Sequence, residues 1–388
     1  MTPIKVLFFS PSLGHGGAEM HLLRVMNALD RQGFAPSVAV AQAGGSYEAA
    51  LADDVPLHSL NSPAIRSSTI RMIRAIRPLR QLIQTTQPDI VCAFQSHANL
   101  AAIRACQGLP QRPKLIVCAQ NSPFAQYQRA WHPLDRLMLK LMAQMYPQAD
   151  RLIALSQGVA QELNTLVGPL PTQRRPPIDL IYNAGVDQRV TRGARQGKHL
   201  RDGVASNPVL VTCGRLHPQK GYPYLLAALA KVRREIPVQL WIVGDGPQRP
   251  AIARQIRALG LTDAVQLWGF QANPFQFMAA ADGFVLSSLY EGFGNVLVEA
   301  MACGVPIIAT DCPHGPAEIL ERGRNGLLAR PADADDLARQ MLKLLRHPQL
   351  REKFARRGLV RSQQFHADTI AQAYAQAFSR ALTAAPAR

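Results

Sequence analysis

The chain of 388 residues contains no run of roughly 18 to 20 apolar residues, the length that a helix needs to cross a bilayer. Residues 1–10 have the pattern of a short buried strand. They lack the basic start and the long apolar stretch of a secretory signal peptide. We therefore expect a cytoplasmic protein without a spanning helix.

Aromatic residues make up only 6% of the chain, and no base-stacking motif or recognition-helix pattern is present. Nucleic acid is therefore not an expected partner. The six cysteines show neither close pairing nor the spacing of metal ligands. They are Cys92, Cys106, Cys118, Cys213, Cys303 and Cys312. Because most of them lie in apolar runs, we expect buried thiols in a reducing compartment.

Positive charge is abundant, with a formal net charge of +17. Residues 1–200 carry 21 Lys and Arg against 11 Asp and Glu, so the excess extends over both halves of the chain. A basic surface favours an anionic partner such as a membrane or a nucleotide-linked substrate. A solvated basic surface without a dedicated partner is the alternative interpretation.

Short apolar runs alternate with amphipathic stretches along the whole chain, which predicts βαβ units and parallel sheets covered on both faces. The runs lie at residues 4–10, 37–41, 90–94, 115–119, 152–156, 209–213, 239–243, 265–268, 283–287 and 306–309. We expect an α/β protein with two doubly wound, Rossmann-like domains. The first covers residues 1–188 and is joined by a C-terminal helix at 365–388. A linker at 189–208 leads to the second domain at 209–364.

The most informative segment is the Gly-rich turn at residues 291–299, which follows an apolar run and leads into a helix. Gly292 and Gly294 allow the backbone to approach a ligand closely. The start of the helix offers backbone N–H groups to an anion. Glu291 and Glu299 can each accept hydrogen bonds from sugar hydroxyls. This pattern predicts a site for a polyhydroxyl ligand.

Two cations, Arg215 and Lys220, follow the strand predicted at 209–213. Cations at the carboxyl edge of a parallel sheet suit a diphosphate and would stabilise the charge of a departing nucleotide. Two solvated loop cations are the alternative. Gly244 belongs to another strand-to-glycine turn, which we expect to shape the pocket beneath a base or ribose.

In the first domain, Gly16 and Gly17 follow the first strand and precede a helix. Counting from Gly14, the sixth position is Glu19, so this is not the dinucleotide-binding fingerprint. The pair still predicts backbone N–H groups directed at a phosphate, although a tight turn without a ligand has the same pattern. His97 follows the strand at 90–94, where parallel strands commonly place functional groups.

Taken together, these motifs resemble the retaining glycosyltransferases of GT-B fold known as "glycosyl transferases group 1", or glycosyltransferase family 4. The matching segments are Gly16-Gly17-Ala18-Glu19, residues 183–187, Gly214-Arg215, Lys220-Gly221, residues 243–247, residues 291–304, residues 306–311 and residues 326–328. The resemblance extends over nearly the whole chain. The order and spacing of the motifs are specific, although each motif alone is weak.

The resemblance implies a role for each matched residue. Arg215 and Lys220 would bind the donor diphosphate, and Gly16 and Gly17 would approach it from the acceptor-binding first domain. Glu299 would hold the ribose hydroxyls, and Glu291 would face the transferred sugar. The further donor-binding residues are Gly244, Phe293, Gly294 and Asn295. The family needs no metal or cofactor and retains the anomeric configuration, with the departing diphosphate taking the acceptor proton.

One position departs from the family pattern. Counting from Asp89, many relatives have a histidine where this chain has Phe94. His97 matches a second, less uniform position and is our candidate for the acceptor side. The Asp333-Ala-Asp335 sequence could in principle hold a metal, but its place after Pro331 indicates acids at a helix start.

The acceptor is expected to be a lipid-linked or lipopolysaccharide or exopolysaccharide glycan, because residues 312–320 resemble family members that build such polymers. Residues 64–84 combine regularly spaced arginines with isoleucines and leucines. This pattern predicts either a basic amphipathic helix on an anionic membrane or an ordinary helix with a solvated basic face. Peripheral attachment to the inner face of the cytoplasmic membrane is therefore a further hypothesis.

The sequence also allows functions other than sugar transfer by a retaining glycosyltransferase. A nucleotide-sugar epimerase or another enzyme of the same fold is the main one, a non-catalytic basic binding module is another, and a glycosidase using Glu291 and Glu299 is a third. The expected activity is hexosyl or N-acetylhexosaminyl transfer from a nucleotide-sugar. UDP is favoured only by its frequency in the family. The sugar, the linkage, the acceptor and the oligomeric state are not indicated by the sequence.

Overall fold

A computed structural model describes residues 2–14, 16–60, 68–127, 133–168, 175–200 and 207–383. The strands are β1 Ile4–Ser10, β2 Phe34–Val40, β3 Leu57–Ser59, β4 Ile90–Phe94, β5 Lys114–Ala119, β6 Arg151–Ala154, β7 Ile178–Leu180, β8 Val209–Cys213, β9 Gln239–Val243, β10 Val265–Gly269, β11 Gly283–Leu286, β12 Ile307–Thr310 and β13 Leu327–Ala329. The α-helices are α1 Gly17–Ala28, α2 Ser68–Thr86, α3 Ser96–Cys106, α4 Pro123–Tyr127, α5 Pro133–Met145, α6 Gln157–Val167, α7 Gln188–Arg195, α8 Tyr222–Val232, α9 Arg249–Ala258, α10 Phe275–Ala280, α11 Asn295–Ala302, α12 Pro316–Ile319, α13 Ala334–Arg346, α14 Pro348–Ser362 and α15 Ala367–Thr383.

The chain divides into two compact units. Unit 1 comprises Met1–Ala184 with Ala367–Arg388, and unit 2 comprises Gly185–His366. Each contains one parallel sheet with helices between its strands. The two doubly wound α/β domains expected from the sequence are confirmed by this topology.

Unit 1 has seven strands in the order β3-β2-β1-β4-β5-β6-β7, all parallel. The central strands are apolar along their length because helices cover both faces. Helix α15 completes this core from the far end of the chain. The ring of Phe378 lies 6.0 Å from that of Phe8 and 5.9 Å from that of Phe34.

Unit 2 has six parallel strands in the order β10-β9-β8-β11-β12-β13. Its core is formed by apolar residues of the central strands with one face each of α8 and α13, including the fully buried Leu226, Leu229 and Leu344. Asp333 caps α13 by accepting backbone N–H groups from Asp335 at 3.0 Å and Asp336 at 2.9 Å. The interpretation of this acid as a helix start is therefore confirmed.

The observed division of the chain differs from the expected one around residue 188. The sequence after that point is polar and was expected to be a linker at 189–208, but it begins with α7, which packs on α10. Asn273 Nδ2 donates to the carbonyl oxygen of Gly193 at 3.1 Å and to Gln196 Oε1 at 2.8 Å. The helix buries one apolar side chain, Val190, and is otherwise anchored by polar contacts, so its composition resembles that of a linker. Residues 201–206 of the expected linker lie outside the described residues.

The described part of the predicted amphipathic segment forms α2, and Ile65 and Arg66 of that segment lie outside the described residues. Pro78 lies within that helix. Among the described helices, none is long and apolar enough to cross a membrane.

Candidate functional site

The strand order of unit 2 reverses between β8 and β11, which lie next to each other in the sheet. In open α/β sheets the crevice at the carboxyl ends of the strands around such a reversal is the usual ligand site. Arg215 and Lys220 follow β8, and the Gly-rich turn with Glu291 follows β11. Chain topology thus brings together two motifs that are about seventy residues apart in the sequence.

Lys220 and Glu291 meet directly at this reversal. Lys220 Nζ lies 2.7 Å from Glu291 Oε1, and Ser288 Oγ donates to the same oxygen at 2.6 Å. The Glu291 residue is only 6% exposed. A charge-assisted pair with little solvent around it fixes both side chains in position. The ammonium group has three N–H donors, of which the carboxylate uses one.

The two loops that carry this pair are also joined through their backbones. Ser287 Oγ donates to the carbonyl oxygen of Lys220 at 2.8 Å, and the N–H of Leu289 donates to that of Gln219 at 2.8 Å. Gly221 has a φ of 63°, and a Cβ there would lie 2.1 Å from the carbonyl oxygen of Ser287. A side chain at this position would therefore separate the loops.

Arg215 has a different environment. Its side chain is exposed and has no hydrogen-bond or ion-pair partner within the described part of the chain. Its charge nevertheless acts on His217. The pKa of His217 is lowered first by burial and then by Arg215 and Lys220. The His217 imidazole is therefore neutral at pH 7, and the local positive charge belongs to the two cations.

The turn after β11 is braced by close backbone packing. Gly294, with a φ of 101°, is the N-cap of α11, and Phe293 and Asn295 flank it. Gly315, with a φ of 89°, lies so close to this turn that a Cβ would be 1.8 Å from the carbonyl oxygen of Phe293. The position of the Phe293 backbone therefore depends on a glycine more than twenty residues away.

Glu299 lies in the second turn of α11 and is half-buried. Its carboxylate is near the end of β8, since it raises the pKa of the Cys213 thiol, second only to burial. Glu291 acts similarly on Cys312, whose pKa is raised to about 12 by burial first and then by that carboxylate. Both acids thus face the carboxyl edge of the same sheet.

Gly244 joins two strand ends. Its φ is 135°, and a Cβ would lie 2.0 Å from the carbonyl oxygen of Gly214. Its N–H donates to the carbonyl oxygen of Gly269 at 2.8 Å. The structure therefore gives Gly244 a packing function at the edge where the other candidate residues lie.

The candidate residues of unit 1 also lie at a reversal of strand order, between β1 and β4. Gly16 and Gly17 begin α1 after β1, and His97 lies half-buried in the first turn of α3 after β4. Gln95 Nε2 donates to Glu19 Oε1 at 2.9 Å and so connects the two loops. The Glu19 carboxylate also lies where a Cβ on Gly16 would be, at 2.1 Å.

Phe94, which occupies the place of a family histidine, is a core residue and is 1% exposed. Its ring lies 5.8 Å from that of His21 and 6.2 Å from that of Tyr374. His21 Nδ1 accepts the N–H of Ala184 at 2.9 Å, so its Nε2 donates to the Tyr374 hydroxyl 3.0 Å away. Burial, and secondly Arg24, lower the pKa of His21 to about 3. The buried histidine of unit 1 is thus neutral and structural.

Sequence reasoning missed several residues that hold this site together. Ser287 and Ser288 fix Lys220 and Glu291, and the signal available was only a Ser-Ser pair directly after an apolar run. Thr310 Oγ1 donates to the carbonyl oxygen of Ser288 at 2.5 Å. Gln95 gave no signal at all, because its partner Glu19 is distant in sequence.

Ser122 lies shortly after β5, the strand next to the one that precedes His97. Ser122 is 2% exposed, and its hydroxyl lies 2.7 and 2.9 Å from the carboxylate oxygens of Glu162. It also accepts the N–H of Ala125 at 3.0 Å. The residue therefore caps α4.

Among the described residues, no cluster of three His, Cys, Asp or Glu side chains could hold a metal ion.

Two doubly wound units of this topology match the GT-B architecture expected from the sequence. The chain belongs to the group 1 glycosyltransferases, since the family model described as "Glycosyl transferases group 1" matches residues 207–347 and that described as "Glycosyltransferase Family 4" matches residues 15–188. It is therefore a glycosyltransferase enzyme, as expected from the sequence.

Individual relatives extend over nearly the whole chain. The structure of Anabaena HepE in complex with UDP and glucose is 26% identical, with a TM-score of 0.79, and the match covers 97% of this chain and 100% of that one. A Campylobacter jejuni N-acetylgalactosaminyltransferase acting on a diphospho-undecaprenol-linked sugar is 24% identical over 95% of this chain and 97% of its own. The lipopolysaccharide core biosynthesis glycosyltransferase LpsD of Rhizobium meliloti is 26% identical over 94% and 95%.

Proposed function

We propose that this enzyme transfers a sugar from a UDP-sugar to a lipid-linked, lipopolysaccharide or exopolysaccharide acceptor, with retention of the anomeric configuration and without a metal. The main support is the arrangement at the reversal between β8 and β11. There an exposed Arg215 without a carboxylate partner lies close in the chain to a Lys220 fixed by Glu291. HepE, a structural relative, was solved with UDP-glucose.

The chemistry places a diphosphate beside these cations. When the bond between the anomeric carbon and the diphosphate oxygen breaks, both bonding electrons leave with the diphosphate, and its negative charge increases. Arg215 and Lys220 stabilise that charge, as a metal does in other enzymes. Arginine suits this role because its planar N–H groups bind two phosphate oxygens at once.

The remaining donor-site residues contribute through position. Glu299 holds the ribose hydroxyls and Glu291 faces the transferred sugar. The backbone at Phe293, Gly294 and Asn295 lies beside the sugar and the phosphates at the start of α11. Gly244 keeps the ends of β8 and β9 close together. In unit 1, Gly16 and Gly17 present backbone N–H groups to a phosphate, and His97 binds the acceptor.

Retention follows if the acceptor attacks the face from which the diphosphate leaves. The acceptor oxygen then bonds to the anomeric carbon, and its proton passes to an oxygen of the departing diphosphate. This route needs no protein nucleophile. It agrees with Glu291 being engaged by both Lys220 and Ser288, which leaves its Oε1 a poor candidate for attack.

An amphipathic surface of unit 1 supports a membrane-bound acceptor. Helices α2 and α5 both pack on α3, and they expose Ile70, Ile73 and Leu137, of which Ile73 is 62% exposed. Arg74, Arg77, Arg136 and Lys140 are exposed on the same two helices. Exposed apolar side chains that share a helix with exposed cations suit an anionic bilayer surface. We therefore place the enzyme at the inner face of the cytoplasmic membrane.

Vesicle binding tests the membrane component. We expect the protein to sediment with phosphatidylglycerol vesicles at low salt, and we expect Ile73→Ser with Leu137→Ser to reduce that binding severalfold. Binding should weaken as salt increases, because the cations contribute through screened attraction. Equal sedimentation with neutral and anionic vesicles, or none with either, would remove this part of the proposal.

The activity is tested by incubating the protein with UDP-, GDP- and ADP-sugars, each with and without a diphospho-undecaprenol-linked acceptor and with and without EDTA. We expect release of UDP that increases when the acceptor is added and that EDTA does not reduce. NMR of the glycan should show the donor's anomeric configuration. Conversion of the donor into an isomeric nucleotide-sugar would instead identify an epimerase, and no reaction with any donor would favour a binding module.

A further inference from the structure

Unit 2 carries a second concentration of cations, well separated in the chain from Arg215 and Lys220. A cavity of about 420 Å³ lies between the last turns of α14 and the loop that joins α12 to β13. Its lining includes Arg324, Arg356, Arg357, Arg361, Glu321 and Val360. Four guanidinium groups against one carboxylate give this cavity a local excess of three positive charges.

Most hydrogen-bond donors of these arginines are unused within the described part of the chain. Among the described residues, Arg356 has no hydrogen bond or ion pair, and Arg357 makes one bond, from Nη1 to the carbonyl oxygen of Arg324 at 3.1 Å. Arg324 lies 3.8 Å from Glu321. Arg361 is more fully engaged, since its Nη1 also pairs with Glu321 Oε1 at 3.3 Å. Each guanidinium carries five N–H donors in a fixed plane. Like charges held together with free donors are suited to an anion with several oxygens.

The loop that forms the other wall of the cavity has an unusual backbone. Glu321, Arg322 and Gly323 have φ values of 48°, 52° and 94°, so two consecutive residues with side chains adopt the left-handed region. Such positions are energetically unfavourable for residues with side chains and are concentrated at ligand sites. The strained turn directs the chain so that Glu321 and Arg324 both line the cavity. This observation is independent of the charges.

Arg361 connects the cavity to the donor edge of unit 2. Its side chain donates to the carbonyl oxygens of Glu318 and Ile319, both at 3.2 Å, and so holds the end of α12. The guanidinium also lies 4.9 Å from the centre of the Phe365 ring, which packs edge-on against Phe293 at 5.5 Å. The arginine at the base of the cavity therefore contacts both elements that brace the Phe293 turn.

We propose that this cavity is a second phosphate-binding site, separate from the donor diphosphate site, and that it takes a phosphate or diphosphate group carried by a larger molecule. A net charge of +3 favours a di- or trianion over a single carboxylate. Val360, at 72% exposure, provides an apolar wall beside the arginines. The group can come from a soluble phosphorylated compound or from a lipid headgroup, because both present the same oxygens.

The test uses the full-length protein and inorganic pyrophosphate at constant ionic strength, with binding measured by titration calorimetry. An Arg215→Gln background weakens the donor site, so that the second site is observed. We expect Arg356→Gln with Arg357→Gln to weaken pyrophosphate binding at least tenfold. The single Arg356→Gln variant should weaken it severalfold, and because Arg356 makes no bond within the described residues, folding is not at risk.

The matched control is Arg254→Gln with Arg257→Gln, which removes the same charge from two exposed positions of α9. It should bind pyrophosphate within about twofold of the parent. A parallel experiment measures sedimentation with phosphatidylglycerol vesicles. If the natural ligand is a headgroup, the α14 variant loses vesicle binding relative to the α9 variant. If it is soluble, only pyrophosphate binding differs. Equal behaviour of both double variants in both experiments would overturn the proposal, and neither experiment depends on sugar transfer.

Discussion

The two units have the same plan, yet they differ in what bridges the reversal of strand order. In unit 1, Gln95 Nε2 donates to Glu19 Oε1 at 2.9 Å, and a residue with a side chain, Gln95, adopts a φ of 76°. In unit 2, Lys220 Nζ pairs with Glu291 Oε1 at 2.7 Å, and the loops that carry this pair have positive φ at Gly221 and Gly294. One bridge has a net negative charge, and the other contains a cation beside an exposed Arg215.

Under the proposed function, this difference would assign the donor to unit 2 and the acceptor to unit 1. A bridge with surplus positive charge suits the diphosphate of a donor. A bridge with an amide and a carboxylate suits neutral hydroxyl groups, whose hydrogen bonds it can accept. In this proposal, the same topology sets the position of the binding site in both units. The side chains at the reversal of strand order then determine whether that site binds a diphosphate or hydroxyl groups. The variants below test this difference between the two units, from the largest expected effect to the smallest.

The largest effect is expected for Lys220→Gln. Loss of a cation that stabilises the leaving diphosphate should lower kcat/KM for sugar transfer by roughly 10²–10³. The variant should also be less stable by up to about 3 kcal/mol, because the Glu291 carboxylate keeps little solvent and loses its counterion. Steady-state kinetics and urea denaturation measure the two effects.

The double variant Lys220→Gln with Glu291→Gln separates them. Without an unpaired buried charge, it should regain most of the stability while remaining inactive. Recovery of activity together with stability would mean that Lys220 acts only through folding, and the contrast between the two bridges would then have no functional meaning.

Acidification should destabilise the protein by an amount similar to that expected for Lys220→Gln, and this loss of stability should arise in unit 1. The pKa of His21 is about 3 in the folded protein, against an ordinary value near 6.5, so the unfolded chain binds an extra proton between these pH values. Stability from this group is therefore complete above pH 6.5 and declines as the pH falls. We expect a loss of about 3 kcal/mol between pH 7 and pH 4.

The comparison for this prediction is His21→Gln. The variant should be less stable at pH 7, since it alters the bonds to Ala184 and Tyr374, but its stability should fall less steeply between pH 6.5 and pH 4 in urea denaturation. Parallel curves for the two proteins would show that His21 does not carry the pH dependence.

A moderate effect is expected for Gly315→Ala, which tests the brace behind the Phe293 turn. A methyl group there would clash with the carbonyl oxygen of Phe293, while Gly260 has a similar positive φ and no atom within 4 Å of its would-be Cβ. Both substitutions place Ala at a positive φ, so Gly260→Ala accounts for the part of the backbone penalty that positive φ alone brings. Gly315→Ala should be about 1–3 kcal/mol less stable than Gly260→Ala and should lose more activity. Equal stability and activity would mean that the turn needs no such brace.

The smallest effect is expected for His97→Ala. If this residue binds the acceptor through one hydrogen bond, KM for the acceptor should rise up to about tenfold, and slow hydrolysis of the donor should be unchanged. Turnover equal to that of the parent in all respects would remove His97 from the site. A large loss of donor hydrolysis would mean that His97 also acts on the donor, contrary to the proposed separation of donor and acceptor binding between the two units.

The sequence predicted the central strands almost to the residue, since β1, β4, β8 and β9 are long apolar runs buried on both faces. It did not reveal β3, β7 and β13, which have three residues each and whose pairing is supplied by neighbouring strands. Helix α7 was expected to be part of a linker because its anchoring contacts are polar. In each case the missing information lay in a neighbouring element rather than in the segment itself.

The candidate site shows the same limit. Arg215, Lys220 and Glu291 were identified from their motifs, but their meeting at one edge depends on β8 and β11 being adjacent. Ser288, Gln95 and the arginine-lined cavity beside α14 could not be predicted, since each depends on a contact between distant parts of the chain. The glycines were easier to identify than the residues they contact, because only glycine tolerates such close backbones.

The most direct test of the central claim, that the cations at the reversal in unit 2 hold the donor diphosphate, is the affinity for UDP of Arg215→Gln compared with Arg254→Gln. Both variants lose one exposed positive charge, and only Arg215 lies at the reversal. Titration calorimetry should show UDP binding weakened at least tenfold, about 1.4 kcal/mol, in Arg215→Gln and unchanged in Arg254→Gln. Equal UDP affinities in the two variants would show that Arg215 does not hold the donor diphosphate.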